Sequence, residues 1–147
     1  MTHPIAAAVL AATLGTAVAA HADDRQLVAL PAPMQEHMLG NMRDHLAALD
    51  DILAALATGR VSQAAEVAEA RLGMSSLGLH GASHMAPLMP QPMKDAGTAM
   101  HRAASRFALA AQAADIEQTY AAQQAVFAAL HEVTAACNAC HTGYRIR

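Results

Sequence analysis

"MQEHMLGNMRDHLAALDDILAALA", residues 34–57, places apolar side chains at Met34, Met38, Met42, Leu46, Leu49, Leu53 and Leu56. The steps between them are 4, 4, 4, 3, 4 and 3, the spacing of one face of an α-helix rather than the alternation of a strand. The helix-excluding "LPAP" precedes the stretch and Thr58-Gly59 follows it, so both ends carry boundary signals. A helix over 34–57 with this stripe turned inward is the expected start of the fold.

The same periodicity continues along the chain. Ser62 can cap a second helix that ends near Leu77-Gly78, with an alanine-rich face suited to close packing. A Pro- and Gly-containing loop is expected from Gly78 to Pro92. A third helix starts near Pro92 and places Met93, Gly97, Met100, Ala104, Phe107 and Ala111 on one face. Asp115 followed by Gln118 resembles a capping box, which starts a fourth helix carrying Ile116, Tyr120, Phe127, Leu130, Thr134 and Cys137 inward. Short connections make sequential helices antiparallel neighbours, so the expected fold is all-α, an antiparallel up-down-up-down four-helix bundle.

Composition agrees with this class. The chain has 147 residues, enough for one domain, with aromatics at 3% and no tryptophan, which is poor material for strands. With so few large rings, the helices are short of volume to fill a core. The formal charge is -3 and no basic stripe is present, which argues against nucleic acid as a partner.

The first 22 residues, "MTHPIAAAVLAATLGTAVAAHA", are apolar and close on Ala20-His21-Ala22, the small-x-small pattern of a signal peptide cleavage site. The start offers His3 but no Lys or Arg. Cleavage before Asp23 leaves residues 23–147 as an exported, periplasmic domain with no stable membrane insertion.

Both cysteines of the chain, Cys137 and Cys140, stand in "TAACNACHTGYRIR", residues 134–147, and His141 follows the second. Cys-x-x-Cys-His is the spacing of covalent haem c attachment, with two thiols for the vinyl groups and an imidazole for the iron. A disulfide across so small a loop constrains the unfolded chain little and leaves the histidine unexplained. A thioredoxin-like pair needs a βαβ setting that the pattern lacks, and a structural zinc site needs more ligands. One haem would also supply the missing core volume.

The motif "CNACHTGYR" and the turn "ALATGRVSQAAEVA", residues 55–68, resemble the cytochrome c′ family and its low-spin relatives. That resemblance covers most of residues 34–147. It implies one haem c iron held by His141 inside the bundle, with Cys137, Cys140, Tyr144 and Arg145 as haem-contacting residues. It also often implies a homodimer packed through the first two helices. In the low-spin relatives a first-helix methionine is the sixth ligand. Counting back from Gly59 favours Met42, with Met38 one turn away as the second choice. The function this implies is single-electron transfer to redox partner proteins. The alternative is a gas-binding protein for NO or CO with an open or displaceable distal position. No set of nucleophile, base and orienter is visible, so no enzyme activity is expected.

"GLHGASHMAPLMPQPM", residues 78–93, collects His80, His84, Met85, Met89 and Met93, donors that suit copper. Without cysteine or carboxylate partners, the favoured reading is an adaptable apolar cover. His37, His45, His101 and His131 are expected to be separate surface or core histidines.

Overall fold

The computed structural model describes residues 23–147; the expected signal peptide, residues 1–22, lies outside the described residues. Among these, five α-helices make up most of the chain: α1 (Ala32–Ala57), α2 (Val61–Arg71), the short α3 (Ala82–Met85), α4 (Gln91–Glu117) and α5 (Tyr120–Gly143). Two-residue strands, β1 (Gln26–Leu27) and β2 (Tyr144–Arg145), pair in parallel with Gln26 opposite Tyr144 and Leu27 opposite Arg145. The all-α class expected from the periodicity is present. No helix among the described residues is long and apolar enough to cross a membrane.

Glycine ends α1 as its position suggests. Gly59 adopts φ 72°, its N–H donates to Leu56 O at 3.1 Å, and the Arg60 N–H donates to Ala55 O at 2.9 Å. These two bonds satisfy carbonyls that the helix end would otherwise leave open. Four expected boundaries differ. Helix α2 stops at Arg71, not near Leu77-Gly78: Gly73 is extended, with φ -72° and ψ 179°, and its N–H donates back to Ala68 O at 2.8 Å. Ser62 lies inside α2 rather than capping it, and its hydroxyl donates to Asp115 Oδ2 on α4 at 2.6 Å. The stretch from 74 to 90 is a chain of tight turns rather than a plain loop, with 3₁₀ helices at Met74–Gly78 and Ala86–Leu88 on either side of α3. Asp115 belongs to the last turn of α4. Helix α5 is capped by Thr119, whose Oγ1 accepts from the Ala122 N–H at 3.1 Å.

The helices pack in chain order, α1 on α2, α2 on α4 and α4 on α5. What touches is largely alanine: Ala48 and Ala55 of α1, Ala64, Ala65 and Ala68 of α2, and Ala104, Ala111 and Ala114 of α4 are all fully buried. Small side chains let helix backbones approach closely. Phe107, Ile52 and Val126 fill the larger spaces between them. This overturns part of the expected inward stripes. On α1, the buried face is Ala48, Ile52 and Ala55, whereas Leu46 is 70% and Leu53 51% exposed. On the last helical stretch, Leu130 is buried, but Ile116, Tyr120 and Phe127 are 84%, 78% and 58% exposed. Hydrophobicity selected the leucine stripe, while close approach of α1 to α2 selected the alanine stripe beside it.

This assignment of inside and outside has a direct check. Phe107→Ala should lower the free energy of unfolding by roughly 3–5 kcal/mol in a denaturant titration, whereas Phe127→Ala should stay within about 0.5 kcal/mol of the parent. Equal losses would mean that the two rings are buried alike.

Candidate functional site

The Cys-x-x-Cys-His motif occupies the last turns of α5, which ends at Gly143. Both thiols are free and half-buried, Cys137 packs against the core, and His141 is exposed. Burial pushes both thiols above the ordinary cysteine value, and at Cys140 the neighbouring Cys137 adds to it. The C-terminal end of a helix also disfavours a thiolate, since the dipole there is negative. Reactive Cys-x-x-Cys pairs sit at the opposite end, where the thiolate is stabilised. A disulfide is opposed as well: residues three apart on a helix hold their Cβ atoms about 5–6 Å apart, whereas a bridge needs about 3.5–4.5 Å. The local geometry thus suits neither a redox dithiol nor a structural bridge.

The start of the described chain is fastened over this end. β1 pairs with β2 immediately after the motif, Val28 N–H donates to Arg145 O at 2.8 Å, and Arg25 Nη1 donates to His141 O at 3.3 Å. Asp23 engages Arg25 at 2.7 Å and lies 3.7 Å from Arg145 Nε. Gln35, near the start of α1, donates to Ile146 O. Tyr144 and Arg145 are therefore half-buried members of a small clasp. On α1, Met34, Met38 and Met42 are half-buried, and the packing does not single out one of them.

A second polar group converges elsewhere. His45 from α1, His80 from the segment before α3 and His101 from α4 each offer one ring nitrogen within 4.8 Å of the other two. Ring centroids are 4.6 Å apart for His45 and His80, 5.3 Å for His80 and His101, and 5.8 Å for His45 and His101. His80 and His101 are buried. His101 Nδ1 donates to Leu72 O at 2.7 Å, which leaves Nε2 as the ring's acceptor. The Ser76 hydroxyl donates to Gly73 O at 2.7 Å and faces His80 Nδ1 at 3.4 Å. His80 itself is pinned to α1: its carbonyl accepts from Asn41 Nδ2 and from His37 Nε2, each at 2.9 Å. Gly81 then turns the chain with φ 62°, and a Cβ there would stand 2.9 Å from His37 Nε2, so glycine is required twice over.

His45 Nε2 is buried without a hydrogen-bond partner, a costly condition for a polar atom. Burial first, then the facing His80 and His101, pull His45 from 6.5 down to about 4, against the opposing pull of Asp44; His141 is near enough to add to the depression. Burial lowers His80 too. Asp44 is held by Arg71, which also bonds Asp51 at 2.6 Å.

Three of the histidines expected to be independent or loop-bound are thus one cluster. The loop set weighed for copper is not assembled: His80 joins His45 and His101, while His84 is exposed. A signal was present in the sequence, because Asn41, His45, Ala48, Ile52 and Ala55 are spaced by 4, 3, 4 and 3, a helical stripe that hydrophobicity alone passes over. Comparison with family models, with curated proteins and with solved structures finds no match.

The depressed His45 gives a signed pH dependence. The unfolded chain takes up the imidazole proton near pH 6.5 and the folded chain near 4, so between these values the unfolded state holds more protons. The stability this neutral ring confers is complete above pH 6.5 and lost as pH falls toward 4. Urea midpoints measured with a chelator present should fall across that window, and His45→Gln should flatten the slope.

Proposed function

We propose that the chain is an exported, periplasmic monohaem c-type cytochrome that carries single electrons to redox partner proteins, built as an antiparallel four-helix bundle of α1, α2, α4 and α5. The observation that carries this reading is the helical Cys137-Cys140-His141 motif with both thiols free. The helix sets the two thiols on neighbouring turns with the imidazole adjacent, the spacing of covalent haem attachment, and works against the disulfide and the reactive dithiol.

The donor set and its surroundings fit a haem. Cys137 and Cys140 would form thioethers, and His141 would supply the proximal nitrogen from an exposed position that leaves its ring free to turn. Leu46 and Leu53 leave an exposed apolar edge on α1 beside Leu49, which packs against the core, and a large flat apolar group or a second copy of the chain would bury it. Haem iron bound there supplies reversible one-electron chemistry. The chain's own contribution is positioning: β1, Arg25 and Gln35 fasten the segment that follows His141, and Tyr144 and Arg145 are held in that clasp. A methionine of α1, Met42 before Met38, would be the sixth ligand, since thioether ligation suits electron transfer by keeping coordination alike in both oxidation states.

Protein produced with haem-maturation machinery should retain its pigment through acid-acetone extraction and show a low-spin spectrum. Met42→Ala should turn the oxidised form high-spin, lower the reduction potential and speed CO binding, whereas Met38→Ala should stay low-spin. Extractable pigment overturns covalent attachment. A parent protein already high-spin, unchanged by either substitution, overturns methionine ligation in favour of gas binding.

A further inference from the structure

We propose that His45, His80 and His101 form a binding site for a late first-row transition-metal ion, Cu(I) or Zn(II), distinct from the Cys137-Cys140-His141 motif. The three residues come from positions far apart in sequence and three different elements, yet one nitrogen from each lies within 4.8 Å of the others. Bonds of about 2.0–2.1 Å to a common ion would bring these nitrogens to about 3.4 Å of one another. The closure needed is within the reach of small χ rotations.

The surroundings prepare the rings as ligands. Metal-bound histidines usually donate their second nitrogen to a carbonyl, carboxylate or other acceptor, which fixes the tautomer and aims the ligating lone pair. His101 does this through Leu72 O at 2.7 Å. His80 Nδ1 faces the Ser76 oxygen, whose own proton is committed to Gly73 O. His45 Nε2 has no hydrogen-bond partner among the described residues, and a metal bond is the interaction that would satisfy it. Among the described residues no carboxylate joins the three rings, so the donor set is all imidazole, which suits copper and zinc over magnesium or calcium. The Asp44 carboxylate acts on both His45 and His80 from just outside, partly offsetting the incoming positive charge. His80 is also held in place by two donors to its carbonyl and by the glycine after it, so the middle ligand is fixed by backbone rather than by a flexible loop.

The test uses the full chain with any free thiol alkylated, so that Cys137 and Cys140 cannot bind the probe whether or not haem occupies them. Zn(II), and in a separate anaerobic arm Cu(I) set against a chromogenic competitor, are titrated. One tight equivalent of either ion is expected, with three imidazole nitrogens and no sulfur in the X-ray absorption fine structure. Affinity should fall by more than about 100-fold in His101→Gln and in His45→Gln, beyond the roughly 10–100-fold typical of an outer-shell change, and remain unchanged in His84→Ala. Far-ultraviolet dichroism checks that the variants fold. Should they unfold, ring-nitrogen NMR of the parent decides, since Zn(II) should shift the ring resonances of His45, His80 and His101 but leave those of His84 and His131 in place. Absence of a stoichiometric equivalent for both ions, binding retained in His101→Gln, sulfur in the first shell, or ring resonances of the three histidines unmoved by metal would each overturn the site.

Discussion

Close contact between alanine faces is the constraint on which the rest of this structure depends. Ala48 and Ala55 on α1 meet an α2 face whose Ala64, Ala65 and Ala68 are wholly buried, and α2 in turn lies on a face of α4 built from Ala104, Ala111 and Ala114. Side chains this small contribute little transfer free energy each, so stability rests on approach distance and dispersion across many short contacts. The few large side chains that are fully buried, Phe107 foremost, complete this core.

That packing has a consequence at the end of the molecule where α1, the turns after α2 and the first half of α4 come together. The alanine stripe of α1 runs on into His45 and Asn41, and the buried face of α4 runs on into Met100 and His101. Helices held close by alanine therefore bring polar side chains as close as apolar ones. The turns after Arg71 complete the arrangement: Leu72 and Gly73 offer carbonyls inward, Ser76 is fully buried, and His80 closes the gap. Burial and the neighbouring rings hold His45 and His80 toward the neutral form, a state that both a packed interior and a metal can use.

The Cys-x-x-Cys-His motif lies under the opposite constraint. It sits where α5 emerges from the core, partly buried on the cysteine side and open at His141, and its geometry is that of an uninterrupted helix. The β1–β2 pairing adds a tether of few hydrogen bonds at this end, so segment 23–28 and the residues after the motif are coupled. His141 lies within electrostatic reach of His45, so this end of α5 and the histidine cluster are neighbours.

Much of this was legible in the amino-acid sequence. The helical class, the inward face of α4, the glycine stop at Gly59 and the placing of the Cys137-Cys140-His141 motif on a helix are local or periodic, and each follows from spacing that one chain segment carries by itself. The choice between two adjacent stripes on α1 was not legible, because hydrophobicity ranks Leu46 and Leu53 above Ala48 and Ala55, and only the proximity of α2 reverses that order. The early end of α2 at Arg71 was equally hidden, since the apolar pattern runs on past it to Leu72. The small-residue stripe of α1 points His45 inward, but its meeting with His80 and His101 was decided by tertiary structure: the three share no motif, and what unites them is the distance at which alanine lets three segments meet.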